Sequence, residues 1–205
     1  MLDPYVRPLK DLALSPLVRL FSPVNPHAIS VVALVAGMGC AWSAARGAFG
    51  AAALLWVGNR VCDGLDGAVA RRAGRQTDVG GYIDLVFDFL VYAAVPLGIA
   101  AGQERVGVPV WEATSFMLAS FYINAAAWLY LSAVLEKRAI RDTEQRLTTI
   151  AMPEGLVAGT ETVIFYLVFL LFPSSIPTGF VVMAVLVAVT ALQRTISAIR
   201  LLRSG

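Results

Sequence analysis

Six apolar runs, each about as long as a bilayer-crossing helix, follow one another through this chain, and they limit its fold more than any other feature. They cover residues 27–45, 51–70, 79–101, 111–135, 155–172 and 177–199. Crossing the hydrocarbon takes about 20 apolar residues as a helix. Lipid offers no partner to a backbone N–H or C=O, so a spanning segment is helical or part of a closed barrel. The runs are too long for barrel strands, and the stretches between them ("RGAFG", "RRAGRQT", "GQERVGVP", "PSSI") have the Gly, Pro and charge content of connections. With 58% hydrophobic and 15% charged residues among 205, the composition lies outside the range of soluble domains. The expected fold is an all-α integral membrane protein, a single domain over 1–205, with six transmembrane helices in 25–205.

Residues 1–24 are expected to form an interfacial amphipathic helix. Leu9, Leu12, Leu17, Leu20 and Phe21 alternate with Arg7, Lys10 and Arg19, a pattern that lays an apolar face on the membrane and turns cations to headgroups. Asp3, Pro4, Pro8 and Asp11 interrupt any apolar core here, so this is not a signal peptide. Asn25 can cap the first span, with Pro26 at its first position. A compact chain of this kind with no targeting segment is expected in a prokaryotic inner membrane. Cys40 and Cys62 fall inside apolar runs and are expected as buried free thiols.

The cations set the orientation. If the N-terminus is cytoplasmic, that side collects Arg7, Lys10, Arg19, Arg71, Arg72, Arg75, Lys137, Arg138, Arg141, Arg146, Arg194, Arg200 and Arg203. The other side receives Arg46 and Arg105. The imbalance places the N-terminus in the cytoplasm. A net charge of +2, with the basic residues dispersed over helix ends, excludes nucleic acid as a partner.

Against this background four acids stand out: Asp63, Asp66, Asp84 and Asp88, near the cytoplasmic ends of the second and third spans. An ionised carboxylate in a membrane helix costs roughly 3 kcal/mol on insertion scales, so such acids are functional candidates. At about 100° per residue, Asp66, Gly67, Ala70 and Arg71 fall within about 80° of Asp63 on one helix face. Gly80, Asp84 and Asp88 recur every four residues on the next helix and form one stripe. Carboxylates brought together in low dielectric need a counter-charge. Oxygen-only donors favour magnesium, manganese or calcium over zinc. The small residues Gly64, Gly67, Ala68, Ala70, Gly80 and Gly81 leave the backbone open beside the acids, and Arg71 can grip a phosphate with two nitrogens. A diphosphate substrate is the expectation.

The pattern Asp63-Gly-Leu-Asp66-Gly67-Ala-Val-Ala70-Arg71, eight residues, then Gly80-Gly-Tyr-Ile-Asp84-Leu-Val-Phe-Asp88 resembles the signature of the CDP-alcohol phosphotransferase family, with every specified position filled. The resemblance implies six transmembrane helices behind an interfacial helix, a homodimer, and a CDP-linked lipid donor whose phosphoalcohol group passes to an acceptor hydroxyl with release of CMP. It implies that Asp63, Asp66 and Asp84 hold two divalent cations, Mg2+ or Mn2+, that Asp88 is the base and a possible further ligand, and that Asp66, Gly67, Ala70, Arg71 and Gly80 line the CDP site. His27, in "PHAIS", stands where the family usually has asparagine, and is placed outside the site.

The acceptor is less constrained. A phosphorylated alcohol needs cations, for which Arg141, Arg146 and Arg194 lie in the right zone. Inositol-phosphate-using members tend to carry arginines near the start of the fifth span, where this chain has Thr160, Glu161 and Thr162. The expected activity is a CDP-diacylglycerol-dependent phosphatidyltransferase with glycerol 3-phosphate as default acceptor, ahead of inositol phosphate, serine or choline. A divalent-cation transporter would spread acids along a path across the bilayer. The acids here gather at one side. The stretch "FYINAAAWLYLSA" has small residues suited to close helix packing and is a candidate dimer contact.

Overall fold

The computed structural model describes residues 14–141, 157 and 159–204, which are helical apart from short connections, with no strand among them. Residues 14–21 form the described part of α1. Then come α2 (Pro26–Ala45), α3 (Phe49–Arg72), α4 (Asp78–Glu104), α5 (Trp111–Arg141), α6 (Gly159–Leu171), a 3-10 turn (Pro173–Ser175) and α7 (Ile176–Ser204). Helix α2 packs on both α3 and α4, α5 pairs with α7, and α6 lies against α3.

Helices α2, α4, α5 and the segment from the 3-10 turn through α7 are long and apolar enough to cross a membrane. Two of the six expected spans do not meet that standard. Helix α3 is long enough at 24 residues, but Asn59, Arg60, Asp63, Asp66, Arg71 and Arg72 dilute its apolar character. The described part of α6 is strongly apolar and 13 residues long, about 20 Å at 1.5 Å per residue, against a hydrocarbon core of about 30 Å. Many apolar side chains face outward, among them Val35 and Trp42 on α2 and Phe116 and Tyr122 on α5. Lipid is the solvent that makes this favourable.

The sequence signals operate locally. Asn25 caps α2, its Oδ1 accepting from the His27 N–H at 3.0 Å, and Pro26 takes the first helical position. Thr77 caps α4, accepting from the Gly80 N–H at 3.0 Å. In between, Gly74 adopts φ +61°. The Gly74 N–H donates to Arg71 O and the Arg75 N–H to Ala70 O, the pair of bonds that closes a helix in a Schellman turn. This turn returns the chain so that α4, like α3, packs on α2.

The N-terminal segment differs from expectation in where its apolar residues go. Leu14 and Val18 are buried against Ile29, Leu65 and Val69 of α2 and α3, while Leu20 and Phe21 point outward. So α1 docks on the bundle as well as presenting an apolar surface. Residues 1–13 lie outside the described residues.

Small residues set the distance between α2 and α4. A Cβ on Gly98 would collide with the Ala41 carbonyl, and one on Gly102 with the Ala44 carbonyl. Glycines four apart allow backbone-to-backbone contact. Cys40 is buried in this region and Cys62 half-buried; both are free thiols.

Helix α4 contains Pro96, which has no N–H to give to the carbonyl four residues back, that of Tyr92. The fully buried Tyr166 of α6 fills the gap, its hydroxyl donating to Tyr92 O at 2.9 Å. Replacing Tyr166→Phe is expected to cost about 1–3 kcal/mol by leaving that carbonyl unsatisfied. The added change Pro96→Ala, which restores a backbone donor, is expected to recover most of the loss in thermal melts of the purified protein. Equal melting points for the two variants would refute this account.

Candidate active site

One pocket gathers the acids that the sequence singled out. Asp63 and Asp66 of α3 and Asp84 and Asp88 of α4 line it together, with Ser30 of α2 and with Asn59 and Arg60 one turn deeper on α3. The Gly74 turn and the packing of both α3 and α4 on α2 bring these acids to one pocket.

The four carboxylates are not equivalent. Asp66 is buried, held by Ser30 Oγ, which donates to its Oδ2 at 2.5 Å, and by the Gly67 N–H, which donates to Oδ1 at 2.5 Å. Ser30 also donates to the Pro26 carbonyl, so the start of α2 fixes the orientation of this acid. Asp63 and Asp88 are partly exposed, and Asp84 is exposed at the mouth.

Arg60 neutralises part of this charge. Its Nη1 lies 3.0 Å from Asp88 Oδ1 and 3.7 Å from Asp63 Oδ2. Its Nε donates to Asn59 Oδ1 at 2.6 Å, and Nη1 also donates to the Tyr92 hydroxyl at 3.1 Å. The guanidinium carbon is 4.9 Å from the ring centres of both Trp56 and Tyr92, so two aromatic faces flank the cation. These rings are themselves anchored. Trp56 donates to Val163 O of α6 at 3.1 Å, and Trp56, Tyr92 and Tyr166 contact one another at 5.3–5.9 Å between centroids. Asn59 donates to the Ala33 carbonyl of α2 at 2.7 Å.

Arg60 escaped the reading of the sequence, yet a signal was present. The other Lys and Arg residues fall to one side or the other, whereas Arg60 sits in the middle of the 51–70 run and joins neither. A cation there needs a nearby acid.

The remaining expected residues Gly67, Ala70, Arg71 and Gly80 are not among those that line this pocket. Gly67 is next to Asp66, and a Cβ there would meet Arg71 Nη1 at 3.2 Å, so Arg71 folds back along its own helix over the glycine. Ala70 is half-buried on the same helix. A Cβ on Gly80 would approach Thr77 Oγ1 at 3.1 Å and His27 Cε1 at 3.3 Å. The structure therefore brings His27 against a signature glycine, although the sequence reading set it apart. Arg194 of α7 does not line the pocket; its Nη1 donates to Asn124 Oδ1 of α5 at 3.2 Å, and its buried Nε has no partner among the described residues. Arg141 closes α5, and Arg146 lies outside the described residues.

The donor set suits a hard divalent ion: four carboxylates and no thiol or imidazole in the lining. As placed, no three such groups converge on one point among the described residues, and Arg60 occupies one oxygen each of Asp63 and Asp88.

Comparison with known proteins identifies the family and the fold. A family model described as CDP-alcohol phosphatidyltransferase matches residues 24–192. The inner membrane protein YnjF of Escherichia coli K12 is 32% identical over 178 residues, covering 85% of this chain and 84% of its own. Among solved structures, the phosphatidylinositol phosphate synthase of Mycobacterium tuberculosis, crystallised with CDP-DAG bound, superposes with a TM-score of 0.69 at 22% identity, over 89% of this chain and 92% of that one.

Proposed function

The chain belongs to the CDP-alcohol phosphatidyltransferase family, and from that premise we propose that it transfers a phosphatidyl group from CDP-diacylglycerol to an acceptor hydroxyl and releases CMP. The observation that carries the reading is that all four signature aspartates line one pocket.

Each residue has a part in the reaction. Asp63, Asp66 and Asp84 would hold two divalent ions, Mg2+ or Mn2+, which supply charge neutralisation at the diphosphate and stabilise the CMP leaving group. Ser30 keeps Asp66 aimed into the pocket. Gly67, Ala70 and Gly80 give room for the nucleotide, and Arg71 offers its guanidinium to a phosphate. Asp88, one turn beyond Asp84, accepts the acceptor's hydroxyl proton as that oxygen bonds to the lipid-bearing phosphorus and the bond from phosphorus to the CMP oxygen breaks. The donor's acyl chains stay in the bilayer along the outward apolar faces.

Glycerol 3-phosphate is the proposed acceptor, with inositol phosphate, serine and choline as alternatives; Arg141, Arg146 and Arg194 are its proposed phosphate contacts. The unsatisfied Arg194 Nε supports a role for that residue in holding an anion. The layout proposed is six spans with the pocket and N-terminus facing the cytoplasm of a prokaryotic inner membrane, in a homodimer.

The test is CMP release by the purified protein with CDP-diacylglycerol and Mg2+ or Mn2+, against each acceptor separately. Release is expected with one acceptor and should disappear on chelation. No release with any acceptor, together with no binding of CDP-diacylglycerol, would exclude the proposed reaction and return a cation-transport role to consideration.

A further inference from the structure

The pocket contains a cation of its own. Arg60 is held on every side. Trp56 and Tyr92 flank the guanidinium plane, Asn59 takes Nε, and Tyr92 and Asp88 take Nη1. With its side chain 11% exposed, Arg60 has no route to extend towards headgroups as surface arginines do. The supports come from three helices, since Trp56 is tied to α6, Tyr92 belongs to α4, and Asn59 is tied to α2. Such a frame keeps a positive charge 3.0 Å from Asp88 and 3.7 Å from Asp63. A divalent ion using those carboxylates must share them with this charge or displace it.

We propose that Arg60 is a built-in rival cation that positions Asp63 and Asp88 and weakens the pocket's hold on divalent ions. Arg60 is thus a positioning residue. It keeps the carboxylates apart and partly neutralised, and it makes occupancy by metal depend on a diphosphate that brings its own negative charge. The inference rests on the proposed metal site.

The test is titration of the full-length purified protein with Mn2+, following the free ion by its paramagnetic resonance signal, for wild type, Arg60→Gln and Arg60→Lys. Removing a unit charge at this distance is expected to tighten Mn2+ binding about tenfold in Arg60→Gln. Arg60→Lys keeps the charge but cannot grip Asn59 and Asp88 at once, so it is expected to fall between Arg60→Gln and wild type. Without Mn2+, Arg60→Gln should melt at a lower temperature than wild type, and added Mn2+ should raise its melting point more. If wild type binds Mn2+ and Arg60→Gln binds it no more tightly, the role of Arg60 is overturned while the metal site stands. If neither wild type nor Arg60→Gln binds Mn2+, the metal site itself fails, and the rival-cation role with it. Should Arg60→Gln not fold, Arg60→Lys decides alone: affinity equal to or below wild type overturns the proposal.

Discussion

Replacing Asp88→Asn is expected to lower CMP release by about 10²–10⁴-fold, the range that a positioned general base contributes. Asparagine has nearly the size of aspartate, and its amide oxygen can still accept from Arg60 Nη1, now at 3.0 Å from Asp88 Oδ1. Asp63 remains beside the guanidinium at 3.7 Å. The cation is therefore not left alone in an apolar setting, and the melting point should move little. The informative result is a protein that binds CDP-diacylglycerol and melts as wild type but does not turn over. Near wild-type turnover would remove Asp88 from the role of base and leave it a partner of Arg60.

A large effect on stability is expected from the addition of a single methyl group. Gly98→Ala adds one methyl group to a helix interior, where alanine normally gains up to about 1 kcal/mol over glycine. Here the sign should reverse. The added Cβ would overlap the Ala41 carbonyl, carbon and Cα, which are backbone atoms with no rotamer to adopt. Helix α4 can accept the methyl only by moving away from α2, at a cost of about 1–3 kcal/mol. Gly58→Ala provides the control, since nothing lies within 4 Å of its added Cβ. Thermal melts should thus show Gly98→Ala below wild type and Gly58→Ala at or slightly above it. Because α4 carries Asp84 and Asp88, the displaced helix should also reduce turnover. If the two variants melt alike, the close approach of α2 and α4 does not hold the bundle together.

The sequence made some of this legible and hid other parts for definite reasons. The aspartate stripes could be read because helical periodicity alone sets them, and the Gly74 reversal because glycine and charge mark it. Within the cation cage, the Trp56 and Arg60 contact follows from a four-residue spacing on one helix, whereas Tyr92 comes from the next helix. No local pattern announces that contact. The two glycines of α4 were likewise visible, but the carbonyls they approach belong to α2. Small residues drew attention to 121–133 instead. His27 reaches Gly80 only because the start of α2 lies beside the start of α4. The number of spans was the weakest inference, since hydrophobicity measures affinity for lipid, and α3 and α6 depend on protein neighbours for part of their burial.

That last point bears on how the protein is made. Lipid alone would retain α3 least readily of the long helices, because Arg60, Asp63 and Asp66 each oppose its entry into hydrocarbon. Its neighbours α2 and α4 are far better suited to enter, and the tight turn at Gly74 leaves almost no chain between α3 and α4. In the folded protein the Arg60 charge is met by Asp63 on the same helix and by Asp88 of α4, so α3 is expected to be held at its depth by its helical neighbours. The ion pairs that line the pocket would then also keep α3 in place in the bilayer.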